Sequence, residues 1–220
     1  MFRVKICGIT TVEDAQVVAQ AGADAIGLNF YPKSPRVIDL DAARAIIEHL
    51  PPEIVKVGVF VGSSLTGVRD TFDELGLDAI QLHGDESAEF LAKLDKRPVI
   101  RAFLVAEDHL YKMTDYLAVC RRMGSIPRMA LADALVPGVY GGTGLLADWK
   151  TLRAYPAKQW HPPLILAGGL TPQNVGDAIR IVRPAAVDTA GGVESSPGRK
   201  DAAKVRAFVR AAAAAFDLLE

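Results

Sequence analysis

Polar side chains recur at one kind of place in this chain, the ends of short apolar runs. Cys7 closes Arg3-Val4-Lys5-Ile6-Cys7 and Asn29 closes Ala25-Ile26-Gly27-Leu28-Asn29. Gln81 and His83 fall in Ala79-Ile80-Gln81-Leu82-His83, while Arg101, Asp133 and Asp188 stand at or near the ends of three further runs. Successive side chains of a strand point to opposite faces. With Val4 and Ile6 on one face, Lys5 and Cys7 turn to the other, and the same parity puts Asn29, Gln81 and His83 on an inner face. Taken singly, a strand cysteine is ordinarily a small buried hydrophobe, and a strand-end Asp or His ordinarily meets a neighbouring backbone group. Six strands that each send a polar group inward near the same end require another explanation, and thiol, imidazole and carboxyl groups are types that hand protons to and from a substrate.

Two Gly-rich turns, Ala167-Gly168-Gly169-Leu170 and Ala190-Gly191-Gly192-Val193, stand after the last two apolar runs. Glycine lets backbone N–H groups approach a ligand closely, which suits a phosphate dianion. Either turn alone is ordinary, but the two together at these positions point to Gly168, Gly169, Gly191 and Gly192 as a phosphate grip. A third turn, Gly141-Gly142-Thr143-Gly144, reads equally as a lid or as a plain loop.

The elements that must position these groups follow from hydrophobic periodicity. Eight apolar runs, around Val4, Ile26, Val57, Ile80, Ile100, Leu131, Ile165 and Val187, alternate with helical patterns over 11–21, 41–50, 64–75, 86–94, 108–123, 146–155, 172–182 and 201–218. Eight strands alternating with eight helices predict an α/β fold, a closed parallel (β/α)8 TIM barrel. A doubly wound open sheet is the alternative, but its first turn would be Gly-rich, and Gly8-Ile9-Thr10 holds one glycine. Thr10 or Thr11 is placed to cap the first helix, with Glu13 and Asp14 in its opening turn, and Thr171-Pro172 is placed to start the seventh. In such a barrel the carboxyl ends of the strands carry the chemistry, and the loops after strands seven and eight hold phosphate.

Composition sets the outer limits. At 220 residues, half of them hydrophobic, the chain is long enough for one barrel, so 1–220 reads as a single catalytic domain. The 25 Lys and Arg nearly balance the 26 Asp and Glu, which leaves no field to gather nucleic acid or an anionic membrane. No run approaches the ~18 apolar residues of a membrane helix. The two cysteines and the opening strand pattern point to a reduced, cytoplasmic protein. Oligomeric state is not legible at this level.

Along nearly the whole chain the motifs resemble one family. Lys5-Ile6-Cys7-Gly8-Ile9-Thr10, Asn29-Phe30 with Ser34-Pro35-Arg36, Gly58-Val59-Phe60-Val61, Gln81-Leu82-His83-Gly84, Asp133, Gly141-Gly142-Thr143-Gly144, Ala167-Gly168-Gly169-Leu170 and Gly192-Val193-Glu194-Ser195 occur in the order found in phosphoribosylanthranilate isomerases. The resemblance implies an Amadori rearrangement in tryptophan biosynthesis that uses no cofactor or metal and a small phosphorylated substrate. It assigns the general acid to Asp133 and the general base to Cys7. Asp133 would then need burial or a nearby anion to hold its proton, and Cys7 would need a cation such as Lys5 to lower its pKa. The substrate-binding set is Arg36, His83 and Asp188: Arg36 for the anthranilate carboxylate through its bidentate fork, His83 beside the aromatic ring unless it is a satisfied core histidine, Asp188 for the sugar. One departure is that Ala190-Gly191 stands where the family commonly has Ser-Ser, which removes two hydroxyl donors to phosphate.

Other readings fit less well. A phosphosugar epimerase would need convergent metal ligands, and a synthase of the indole-glycerol-phosphate type would need catalytic lysines on several strands, where only Lys5 and Lys56 occur. A barrel also accepting the histidine-pathway aminoaldose would need a second phosphate site after strands three and four. A silent phosphate-binding subunit is the alternative from outside enzymology, and intact Cys7 and Asp133 argue against it.

Overall fold

A computed structural model describes residues 2–105, 110–134, 148–155 and 158–219. Eight parallel strands, β1 (Val4–Cys7), β2 (Ala25–Asn29), β3 (Val55–Phe60), β4 (Ala79–Leu82), β5 (Val99–Val105), β6 (Met129–Ala134), β7 (Leu164–Leu166) and β8 (Ala186–Thr189), close into a barrel in sequence order. The seam is β1 on β8, where Lys5 pairs in register with Asp188. Around it lie α1 (Val12–Gln20), α2 (Leu40–Glu48), α3 (Leu65–Leu75), α4 (Ala88–Ala92), α5 (Leu110–Arg122), α6 (Trp149–Leu152), α7 (Val175–Val182) and α8 (Ala202–Asp217). The expected turn at Gly141–Gly144 and the first residues of the fifth and sixth helical patterns lie outside the described residues.

Strand parity sorts the core into two layers. Ala25, Val57, Ala79, Leu131, Ile165 and Ala186 fill the barrel interior from its amino end. Val4 and Ile6 face outward and pack with Ala15, Val18 and Phe208 of the helical layer. In α8 the buried positions Val205, Phe208, Val209, Ala212, Ala215 and Phe216 recur at three- and four-residue steps, giving the stripe that a barrel-packing helix needs. Lys5 is completely buried in the interior, and its ammonium donates to Asp188 Oδ1 at 2.9 Å.

Several helix starts follow local capping chemistry. The Thr11 hydroxyl accepts from the Asp14 N–H at 3.1 Å, as the sequence suggests, and such a cap contributes ~1 kcal/mol. The seventh helix differs from the Thr171-Pro172 expectation. Asn174 Oδ1 accepts from the Thr171 N–H at 2.8 Å, which closes a turn first, and α7 begins only at Val175. Arg101 also departs from the expectation that it faces inward: Ile100 and Ala102 take the interior positions of β5, so Arg101 points to the helical layer. Its guanidinium lies 5.0 Å from the ring centre of Tyr116 in α5 and donates to the carbonyls of Leu82 and Ala102.

After β8 the chain makes a 3-10 turn at Gly191–Val193 and an antiparallel hairpin, β9 (Glu194–Ser196) with β10 (Arg199–Lys200), that periodicity did not announce. The hairpin is fastened at both sides: the Lys200 N–H donates to Asp14 Oδ2 at 3.0 Å and the Thr10 hydroxyl donates to the Gly198 carbonyl at 2.5 Å.

Candidate active site

At the carboxyl end of the strands lies a cavity of about 640 Å³. Cys7, Asp133, Arg36, His83 and Asp188 line it, and so do Gly168, Gly169, Gly191 and Gly192, so the fold brings together every site residue that the sequence suggested. The loops of β2 and the hairpin after β8 complete its wall through Tyr31, Lys33, Ser34 and Glu194 to Pro197.

Cys7 sits in room left by a glycine. A Cβ on Gly27, its registered neighbour on β2, would stand 2.5 Å from the Cys7 sulfur, so the thiol occupies the space a side chain on β2 would fill. Burial pushes the Cys7 thiol above its ordinary value, and Asp188 adds to this, while the ammonium groups of Lys5 and Lys200 oppose it. The net direction corrects the expectation that Lys5 would bring Cys7 below its ordinary value. Lys5 does act in the expected sense, but desolvation outweighs it and Asp188 spends part of its charge. On Lys5 itself, burial is outweighed by Asp188 and by Cys7, to which it also hydrogen-bonds, so the ammonium is held above its usual range.

Asp133 is buried at the end of β6, and its Oδ1 accepts from the Ala134 N–H at 2.8 Å. Its other oxygen lies 3.3 Å from His83 Nε2, across the barrel. Gln81 fixes the ring from behind, with its amide nitrogen 2.7 Å from His83 Nδ1. His83 Nε2 faces the Asp133 carboxyl group and has no hydrogen-bond partner among the described residues. His83 is therefore placed against the carboxyl group as well as against the cavity.

Arg36 is held where it can reach a ligand, though by a different use of its fork than expected. Its Nε and one terminal nitrogen donate to the two oxygens of Glu194 at 2.8 and 2.7 Å, so this bidentate edge is occupied within the protein. Arg36 lines the cavity, and Glu194 uses neither its other terminal nitrogen nor the outer hydrogen of the first. The arginine stem crosses Gly8, where a Cβ would overlap its Cδ. Asp188 likewise has one oxygen committed, to Lys5, and lines the cavity beside the Cys7 thiol.

The four glycines present open donors. The N–H groups of Gly168 and Gly169 meet no protein acceptor among the described residues, and those of Gly191 and Gly192 precede the first bonded donor of their turn, Val193. The Thr189 hydroxyl next to them donates to the Leu170 carbonyl at 2.7 Å and so is spent on tying the two turns together. Among the described residues no three His, Cys, Asp or Glu side chains converge as metal ligands, and no helix is long and apolar enough to cross a membrane.

The model of the family described as N-(5'phosphoribosyl)anthranilate (PRA) isomerase matches residues 4–211. The chain belongs to the phosphoribosylanthranilate isomerase family. Among curated relatives, the N-(5'-phosphoribosyl)anthranilate isomerase of Geobacter sulfurreducens is 48% identical over 96% of this chain and 98% of that protein. The enzyme of the same name from Pseudomonas aeruginosa (strain UCBPP-PA14) is 48% identical over 95% and 94%. The solved phosphoribosyl anthranilate isomerase of Thermotoga maritima superposes with a TM-score of 0.85 at 39% identity, covering 97% of this chain and all of that one. Another solved isomerase, in complex with reduced 1-(o-carboxyphenylamino)-1-deoxyribulose 5-phosphate, gives 0.82 at 38% identity over 97% and 100%. As a member of this isomerase family the chain is an enzyme of tryptophan biosynthesis, and its barrel is the family's fold. Sequence reasoning missed Glu194 as part of the site because its partner Arg36 is 158 residues away, and missed Lys200 because it reaches the site only through Glu194.

Proposed function

We propose that this isomerase converts N-(5-phosphoribosyl)anthranilate to 1-(2-carboxyphenylamino)-1-deoxyribulose 5-phosphate by proton transfer between Asp133, Cys7 and the sugar. Asp133, presented by β6, gives its proton to the furanose ring oxygen; the C1–O bond breaks and the nitrogen lone pair forms the Schiff base. Cys7, as thiolate, then takes the proton from C2, and the C–H electron pair moves to give the enolamine, which tautomerises to the ketose. The observation that carries this reading is that one cavity presents a thiol beside an ammonium, a carboxyl group faced by an imidazole, and four open glycine N–H groups.

The remaining groups bind. The N–H groups of Gly168, Gly169, Gly191 and Gly192 hold the phosphate, the free edge of Arg36 takes the anthranilate carboxylate, His83 borders the reacting end, and the unpaired oxygen of Asp188 meets a sugar hydroxyl. The proposal includes a cytoplasmic setting, where a catalytic thiol stays reduced, and a single catalytic unit over 1–220. The test is turnover by the purified full chain, followed as loss of the substrate's anthranilate fluorescence, with chelator present and no added cofactor. Conversion under these conditions is expected, and its absence with folded protein and intact substrate overturns the proposal.

A further inference from the structure

Glu194 is a buried carboxylate inside the cavity wall, with both oxygens engaged. Oε1 accepts from Arg36 Nε at 2.8 Å, from Lys200 Nζ at 2.8 Å and from the Gly198 N–H at 3.3 Å; Oε2 accepts from the Arg36 terminal nitrogen at 2.7 Å. The Lys200 side chain is completely buried and also donates to the Ala190 carbonyl at 3.3 Å. A buried ion pair flanked by a second buried cation costs desolvation that a surface-exposed arginine would not incur. The hairpin is also fastened through Asp14 and Thr10, so its attachment to the barrel does not rest on this cluster alone.

We infer that Glu194, clamped by Lys200, is a positioning residue that fixes Arg36 so that its free edge recognises the carboxylate on the substrate's aromatic ring. A guanidinium offers two bidentate edges, and a carboxylate placed on one of them leaves only the other for a ligand. With Glu194 on the Nε edge and the stem laid across Gly8, Arg36 is held in one orientation toward a ligand. Lys200 supplies what this arrangement otherwise lacks. Glu194 alone would neutralise Arg36 and repel an incoming carboxylate, whereas two cations and one carboxylate leave the cluster with a net positive charge. The cluster therefore selects an aromatic amine that bears a carboxylate over one that does not.

The inference rests on the carboxylate reading of Arg36 in the proposed function, and the test separates the two. Binding is measured for the reduced carboxyphenylamino-deoxyribulose phosphate and for its phenylamino counterpart without the carboxyl group, on the wild-type chain, Glu194→Gln and Lys200→Met. Wild type is expected to prefer the carboxylated compound. Glu194→Gln, which keeps the shape and adds net positive charge, is expected to weaken that compound by ~10- to 10²-fold, as loss of precise placement does, while changing the other by less than a factor of about two. Lys200→Met is expected to act in the same selective direction. The sign is decisive: if charge alone mattered, Glu194→Gln would tighten the carboxylated compound, and such tightening overturns the positioning role. Equal loss for both compounds, or unchanged preference in both variants, overturns it as well. A wild-type chain that does not distinguish the compounds overturns the carboxylate reading of Arg36 and the role of Glu194 together.

Discussion

At the residue scale the pair Cys7 and Asp133 carries the proposed chemistry, and each can be removed without removing the grip on substrate. Asp133→Asn keeps the shape and deletes the proton source, and Cys7→Ser replaces the thiol by a hydroxyl that is too weak an acid to present an oxyanion base. Turnover is expected to fall by ~10² to 10⁴ in each, as loss of a general acid or base does. The Michaelis constant should change little, because the proposed grips on phosphate and carboxylate use other residues. Steady-state kinetics on folded variants check this, and near-normal turnover in Cys7→Ser would pass the role of base to another inward group, His83 first. The direction of the Cys7 shift adds a second readout. Because burial outweighs Lys5, alkylation of Cys7 by iodoacetamide should reach half its maximal rate above pH 9.0, the ordinary value, and still outpace that of Cys120, which is buried away from the cavity. A midpoint well below that value would show that the ammonium outweighs desolvation. The thiol also belongs to the alkaline side of the pH profile, since a pair that shares one required proton shows its higher-titrating member there, whichever partner carries the proton in the active form.

At the element scale the proposed phosphate grip depends on two turns held together, and their glycines differ in what surrounds them. A Cβ on Gly192 would overlap the Leu170 carbonyl oxygen, so a substitution there would push apart the turns after β7 and β8. Gly191 is exposed and gives the cleaner probe. Gly191→Val should obstruct the approach of phosphate to the backbone. Losing one hydrogen bond to a charged group costs about 1.5–3 kcal/mol, roughly 10- to 100-fold in affinity, so the Michaelis constant should rise and inhibition by inorganic phosphate weaken to that extent. Unchanged phosphate inhibition would move the site elsewhere. This dependence on backbone also answers the loss of hydroxyls at Ala190-Gly191, since the remaining neighbour, Thr189, donates to Leu170. The barrel and most of the candidate residues were legible because these signals are local: alternation turned Cys7 and His83 inward, strand ends marked Asp133 and Asp188, and paired glycines marked the two turns, whereas Arg36 was reached only through the family resemblance. Arg101 was misread because a position near a strand end does not give its parity, and the neighbouring Ile100 and Ala102 had to be seen facing inward. The pairing of Glu194 with Arg36 was illegible for a different reason: charge pairing across the barrel mouth leaves no period in the sequence.

At the scale of the whole molecule, groups buried in one protonation state set the pH range over which the barrel is stable. Burial pushes the thiol of Cys120 up and takes the Tyr116 hydroxyl to about 12, so both are neutral in the fold, and the stability they confer is lost as pH rises from their ordinary values through the raised ones. Arg36 and Lys200 outweigh burial at Glu194 and hold its carboxyl low, so its share is present above the ordinary 4.5 and is lost as pH falls through the lowered value. The first loss on the acid side should come earlier, from His161. Burial lowers its pKa from 6.5, with Lys158 adding to the effect, and its ring is stacked on Tyr155 at 5.2 Å and meets the edge of Trp160 at 4.3 Å. Below pH 6.5 the unfolded chain binds this proton and the folded chain resists it, so stability must fall with pH there. His161→Phe keeps an aromatic ring in the stack and removes the proton site. Urea midpoints measured between pH 7 and pH 5 are therefore expected to decline for the wild type and to stay nearly level for His161→Phe, with the slope against urea unchanged. Parallel decline in the two proteins would leave His161 without a part in the acid limit, since the share of Glu194 is still present above 4.5.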